Sequence, residues 1–309
     1  MNSTNQMKLT YFIIRGISDD PVLQVPISFL VLLIYLTTLG GNMTILLLIC
    51  FEHHLHSPMY FFLANLSILD ISSTTITLHK VFVNLISQDK TISLQACMAQ
   101  MYMFAVLTGD ELLLLTAMSY DRYVAICNPL CYHLIMNFRF CALLAVTCWI
   151  LGFLEAIPHV VILSGISCYR SREINHFFCD LLPLIKLSCS DTSIIYLIIF
   201  ISGLIHFMLS FIFTFIPYIY IIFTILNMQS SSGRHKAFYT CSQHFTVVIL
   251  LYTTLILQYL RPTALENLDY NKLFSAAVPM LNPLIYSLKN KDVKTALRQR
   301  LKLFGYFKG

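Results

Sequence analysis

The sequence predicts an all-α membrane protein, a bundle of seven membrane-crossing helices followed by a short amphipathic helix. Three observations carry that expectation. Of 309 residues, 57% are hydrophobic and only 11% charged, which leaves too little polar surface to enclose a water-soluble core. The apolar residues gather into stretches of about 20 or more, the length that crosses a bilayer. Positive charge, finally, collects on one side of those stretches.

In chain order, residues 1–24 are polar and show no cleavable leader. They are expected to form an extracellular N-terminus, with the first span acting as the targeting signal. Asn2-Ser3-Thr4 is a glycosylation sequon there, while the sequons at Asn42 and Asn65 fall inside helices and are set aside. Spans are expected at residues 25–51, 58–78, 97–123, 140–163, 193–226, 238–260 and 270–288, so that 25–288 is one seven-helix domain. The seventh is interrupted by Ser275, Pro279, Asn282 and Pro283. Such interruptions are tolerated where neighbouring helices satisfy the freed backbone groups. Residues 289–309 form a tail in which cations alternate with Val293, Ala296, Leu297, Leu301 and Leu303, the pattern of a helix lying along a membrane surface.

Charge orients the bundle. The tail and the loops on its side hold eleven Lys/Arg against Glu52, Asp121 and Asp292, whereas the other side holds nine basic and eight acidic residues. The first side is therefore expected to be cytoplasmic. The net charge of +5 comes mainly from the tail and does not point to a nucleic-acid partner. Among ten cysteines, Cys97, Cys168, Cys179 and Cys189 fall on the outer side, where oxidation is permitted. Four cysteines allow three pairings. Cys50, Cys127, Cys141, Cys148 and Cys241 read as small buried hydrophobes, and no cysteine–histidine quartet has zinc spacing.

Four motifs stand out. Met118-Ser119-Tyr120-Asp121-Arg122-Tyr123-Val124-Ala125-Ile126-Cys127-Asn128-Pro129-Leu130 ends the third span with an acid–base pair, where Asp121 can hold Arg122 until a partner competes. Pro58 to Asp70 (PMYFFLANLSILD), Lys236 to His244 (KAFYTCSQH) and Pro279 to Lys291 (PMLNPLIYSLKNK) mark the second, sixth and seventh spans. Together they resemble, in order, the motifs of olfactory receptors within the rhodopsin-like G-protein-coupled receptors, over most of residues 20–300. The stretch from Cys168 to Cys189 resembles that family's second outer loop. Departures are His79 and Pro217, where proline and serine are usual, and Ser119, where alanine is common.

The resemblance implies the rest. It selects the pairings Cys97–Cys179 and Cys168–Cys189. It implies a coupling switch of Asp121, Arg122, Tyr123, Tyr218 and Tyr286. It also implies a ligand pocket lined by Phe104, Ala105, Thr108, Gly109, Ser202, His206, Phe207, Tyr252, Ile256 and Tyr259, with Ser275 from the seventh helix. Phe104 stands where amine receptors carry an aspartate, so the expected ligand is a small neutral odorant. His206 either donates to a ligand oxygen or bonds a neighbouring helix. Asp70 and Glu111 either share a proton or hold a cation, and the resemblance suggests an allosteric sodium ion with Asn282 close by; no other cofactor is expected. Asp110 and Glu155 receive no role. The short loop 261–272 and the run Leu187 to Asp191 suggest a subgroup tuned to airborne hydrophobic odorants. The implied partners are the lipid bilayer and the olfactory stimulatory G protein, which raises cyclic AMP, and the implied location is the plasma membrane of olfactory cilia. A transporter is disfavoured by the absence of repeats between the two halves, and an enzyme by the lack of a nucleophile–base set or metal cluster.

Overall fold

The computed structural model describes residues 10–17, 21–87, 89–166, 168–259, 293, 295–298 and 300. The expected seventh span, with Asn282 and Tyr286, lies outside them, as does Asn2. The elements are β1 (Tyr11–Ile14), α1 (Pro21–Phe51), α2 (Pro58–Ser87), β2 (Thr91–Ser93), α3 (Leu94–Cys127), α4 (Tyr132–Ile135), α5 (Phe138–Ser164), β3 (Glu173–Ile174), α6 (Leu181–Lys186), α7 (Ser193–Leu226) and α8 (Ser231–Tyr259).

Among the described residues, α1, α2, α3, α5 and α7 are long and apolar enough to cross a membrane. They hold the first five expected spans, and α8 holds nearly all of the sixth. Its opening turns carry Ser231, Ser232, Arg234 and His235, which lower its hydropathy relative to the others. Large apolar side chains face outward along α1, α5 and α7, among them Phe29, Leu143 and Phe213. In water that surface would be a liability, and in lipid it is the solvated face. Cys50 sits on this outer side of α1 and is exposed, unlike buried Cys141, Cys148 and Cys241. The expectation that all these thiols are buried fails for Cys50, and Cys127 is only half-buried, because of their helical phase.

The central helix is α3, which packs against α2, α5 and α7. Ser93 starts it by accepting a hydrogen bond from the Ala96 amide at 3.2 Å. Asn137 does the same for α5 through the Phe140 amide at 3.0 Å. Such caps satisfy amides that have no partner within the helix. With His79 in place of proline, α2 runs on to Ser87, nine residues beyond the expected end of the span at residue 78. Proline at that position would remove a backbone donor and strain the helix. Pro217 lies within α7, which remains a single helix through Leu226.

One departure from the purely helical expectation lies at the N-terminus. Residues Tyr11–Ile14 form the middle strand of a small sheet, in the order β2-β1-β3. The strand is antiparallel to β2 and parallel to β3, pairing Phe12 with Ile92 and Ile14 with Ile174. Phe12 and Ile14 are fully buried, the alternation expected of a strand with one face on a core. Both cysteine bridges form, Cys97–Cys179 and Cys168–Cys189. Gln100 ties the same region together, donating to the Ile76 carbonyl at 2.7 Å and accepting from the Cys179 amide at 2.9 Å.

The described tail residues 293, 295–298 and 300 are helical. Val293 and Ala296 are buried in the main core. Arg300 donates to Glu52 Oε1 at 2.5 Å and to the Phe51 carbonyl at 3.2 Å, so the tail returns to the end of α1.

Candidate functional site

A cavity of about 210 Å³ opens near the disulfide end, walled by α3, α5, α6, α7 and α8. That is below the roughly 300–1,000 Å³ of drug-sized pockets and suits a small molecule. From α3 come Phe104, Ala105, Thr108 and Gly109, and from α7 come His206 and Phe207. Phe104 is fixed against Phe178 of the disulfide loop, ring centroids 4.8 Å apart. Thr108 spends its hydroxyl on the Phe104 carbonyl at 2.9 Å.

Three residues expected on the wall lie off it. Ser202 turns toward α5, donating to the Ile199 carbonyl at 2.9 Å and meeting His159 Nε2 at 3.3 Å. Tyr252 is buried among Phe207, Phe211 and Phe215, with centroids 5.3–5.6 Å away, and its hydroxyl meets Thr214 at 3.3 Å. Ile256 is 41% exposed and faces outward. The cause is the rotation of α8, whose Leu255 reaches the wall instead. The Tyr259 side chain and Ser275 lie outside the described residues.

The fourth span supplies what the sequence reading missed. Glu155 and His159, both on α5, line the cavity. His206 Nδ1 lies 2.6 Å from Glu155 Oε2. His206 and Glu155 thus meet across helices, and the cavity wall carries a carboxyl group even though Phe104 supplies none. An acid in an apolar span was the available signal, but its partner lies on a different helix and sequence spacing cannot reveal it. Asp110, on α3, is fully buried, and neither carboxylate oxygen has a hydrogen-bond partner among the described residues. It packs against Gly152, where any Cβ would overlap the carboxylate. Asp70 is buried on α2 and Glu111 half-buried on α3. Among the described residues no group of three or more His, Cys, Asp or Glu is arranged to hold a metal ion.

At the opposite end of α3, Arg122 donates from Nε to Asp121 Oδ2 at 2.9 Å and also through Nη2. Asp121 is wholly buried. A third member, Tyr132 of α4, donates its hydroxyl to Asp121 Oδ1 at 2.8 Å. Burial, and next the Asp121 charge, push the Tyr132 phenol well above its ordinary range, so it stays a donor at any physiological pH. Tyr123 packs against Tyr220 at 5.9 Å. Tyr218 is buried, its hydroxyl on His244 Nδ1 of α8 and its ring 4.9 Å from Phe245. Ser119 returns its hydroxyl to the Leu115 carbonyl at 3.0 Å, which lets it sit buried inside the helix.

Arg122 and the cavity therefore share α3 as a common wall, with Gly109 and Asp121 separated by about 18 Å of helix at 1.5 Å per residue. Comparison with known proteins agrees with this plan. The profile described as "Olfactory receptor" matches residues 31–303. The chain is 44% identical to human "Olfactory receptor 6C1", over 94% of this chain and 95% of that one. It is 42% identical to mouse "Olfactory receptor 5AP2" (97% and 96% covered) and 41% identical to human "Olfactory receptor 8D1" (97% and 99%). The chain belongs to the olfactory receptor family, a family of seven-helix, multi-pass membrane receptors and not of enzymes.

Proposed function

We propose that the chain binds small, largely apolar volatile molecules in the cavity and answers by activating the olfactory stimulatory G protein, raising cyclic AMP. The observation that carries this is the cavity and the Asp121–Arg122 pair on one continuous helix, α3. A ligand that favours a different seating of α3 against α5 and α7 would bias the far end of the same helix. That is a two-state element acted on by ligand at one end and transducer at the other.

In the resting state Asp121 neutralises Arg122, and in the active state Arg122 meets the G protein. The residues 25–288 form the seven-helix receptor domain, with the N-terminus outside, Asn2 glycosylated, the tail helix on the inner leaflet and the receptor in ciliary plasma membrane. A sodium ion on Asp70 and Glu111, with Asn282, would favour the resting state. Ligand affinity comes mainly from burial at about 0.8 kcal/mol per methylene, so micromolar binding is expected for so small a molecule.

The test is cyclic AMP accumulation in cells expressing the receptor with that G protein, challenged with a chemically diverse odorant panel. Dose-dependent responses are expected. Silence from a receptor proven to be at the surface would count against the proposal.

A further inference from the structure

We propose that the Glu155–His206 pair is the polar anchor of the cavity and that it selects ligands bearing a hydrogen-bond donor, O–H or N–H, on an apolar body. The proposal rests on the odorant-receptor reading above and narrows its ligand class.

Glu155 stands on the cavity wall with 32% of its side chain exposed. His206 engages one carboxylate oxygen, Oε2, at 2.6 Å. The other oxygen has no hydrogen-bond partner among the described residues. The carboxylate lies over Gly109, where an added Cβ would sit 3.6 Å from Oε2, in ordinary van der Waals contact. His206 Nε2 is buried, so the imidazole orients the carboxylate and the carboxylate is the group presented to the cavity.

Carboxylate oxygens accept hydrogen bonds, and the two hydroxyls that α3 adds to the wall are already engaged. Thr108 and Tyr102, on the same wall, donate to the backbone carbonyls of Phe104 and Phe153. His159 is engaged with the Glu155 carbonyl at 3.1 Å and with Ser202. No lysine or arginine lines the cavity among the described residues. Asp110 adds a second carboxyl group behind the wall, packed on Gly152, which is one turn from Glu155 on the same face of α5. A ligand donor would meet an oriented acceptor, whereas a ketone or ether oxygen would face another oxygen. Phe104 suggested an uncharged pocket, but the acid comes from α5.

The experiment compares matched n-alkanols, n-alkylamines and methyl alkyl ethers, from pentyl to decyl chains, on the full-length receptor. Two readouts are taken: cyclic AMP in cells, and thermal stabilisation of the detergent-purified protein. The n-alkanols are expected to be about tenfold or more potent than ethers of equal size, as one charge-assisted hydrogen bond allows. In Glu155→Leu that preference should disappear while the ether response stays. In Glu155→Gln, which keeps an acceptor oxygen without charge, alkanol responses should persist and any alkylamine advantage should vanish, which separates a hydroxyl ligand from a cationic one. Equal potency of alkanols and ethers on the wild type overturns the proposal, and needs no variant to fold. So does an equal loss of both in Glu155→Leu, or a lack of stabilisation by every donor. Donor-selective stabilisation without a cellular signal would uphold this inference and overturn the coupling instead.

Discussion

At one end of α3, Cys97 is bonded to Cys179 and a second bridge closes the loop from Cys168 to Cys189, over a sheet that buries Phe12 and Ile14. At the other end nothing covalent holds the helix among the described residues. There Arg122, Asp121 and Tyr132 form a hydrogen-bonded knot, and Tyr218 meets His244 across α7 and α8. The first set cannot open without unfolding or reduction. The second can open by exchanging partners, because a buried charge released from one partner needs only another of similar strength. The contrast teaches where each function can reside. A stapled rim presents a preformed cavity, while a polar knot is open to partner exchange.

The comparison predicts different failures at the two ends. The largest effect is expected from Cys97→Ser. Loss of such a bridge costs about 2–5 kcal/mol, and labelling of intact cells should find little receptor at the surface. Normal surface delivery would mean that the rim is not held by the bridge. Next comes Asp121→Asn. It leaves Arg122 without its counter-charge, a change of about 3–5 kcal/mol for a buried pair. Ligand-free cyclic AMP should rise while surface level holds. A falling surface level with unchanged basal signal would place Asp121 with the folding elements.

Gly152→Ala should act at the cavity end by overpacking. The new methyl collides with Asp110, at a typical cost of about 1–3 kcal/mol. A lower melting temperature of purified receptor is expected, with basal signalling unaltered. The smallest effect belongs to Tyr132→Phe, which removes one hydrogen bond to Asp121, about 1 kcal/mol or roughly a fivefold rise in ligand-free activity. No rise would reduce Tyr132 to a packing role.

Much of this organisation was legible in the sequence, for reasons that differ by element. Spans such as 25–51 and 193–226 are legible because lipid demands long apolar runs, and α1 and α7 are such runs. Phe104, Ala105, Thr108 and Gly109 reach the cavity together because one face of α3 carries them at helical spacing. The phase of α8 was not legible. Tyr252 turns into the aromatic stack of Phe207, Phe211 and Phe215, and that packing alone decides which α8 residues face the cavity. Strand β1 escaped because four residues carry too little periodicity to distinguish a strand from a polar tail. The Glu155–His206 bond escaped because its two halves lie on different helices and meet only in the folded bundle.

The central claim is that ligand binding frees Arg122 from Asp121 to engage a G protein. Its most direct test is the odorant-panel cyclic AMP response of the wild type beside Arg122→Ala, both normalised to surface receptor. The account predicts dose-dependent responses in the wild type and none in Arg122→Ala at equal surface level. An Arg122→Ala receptor that responds like the wild type would contradict it.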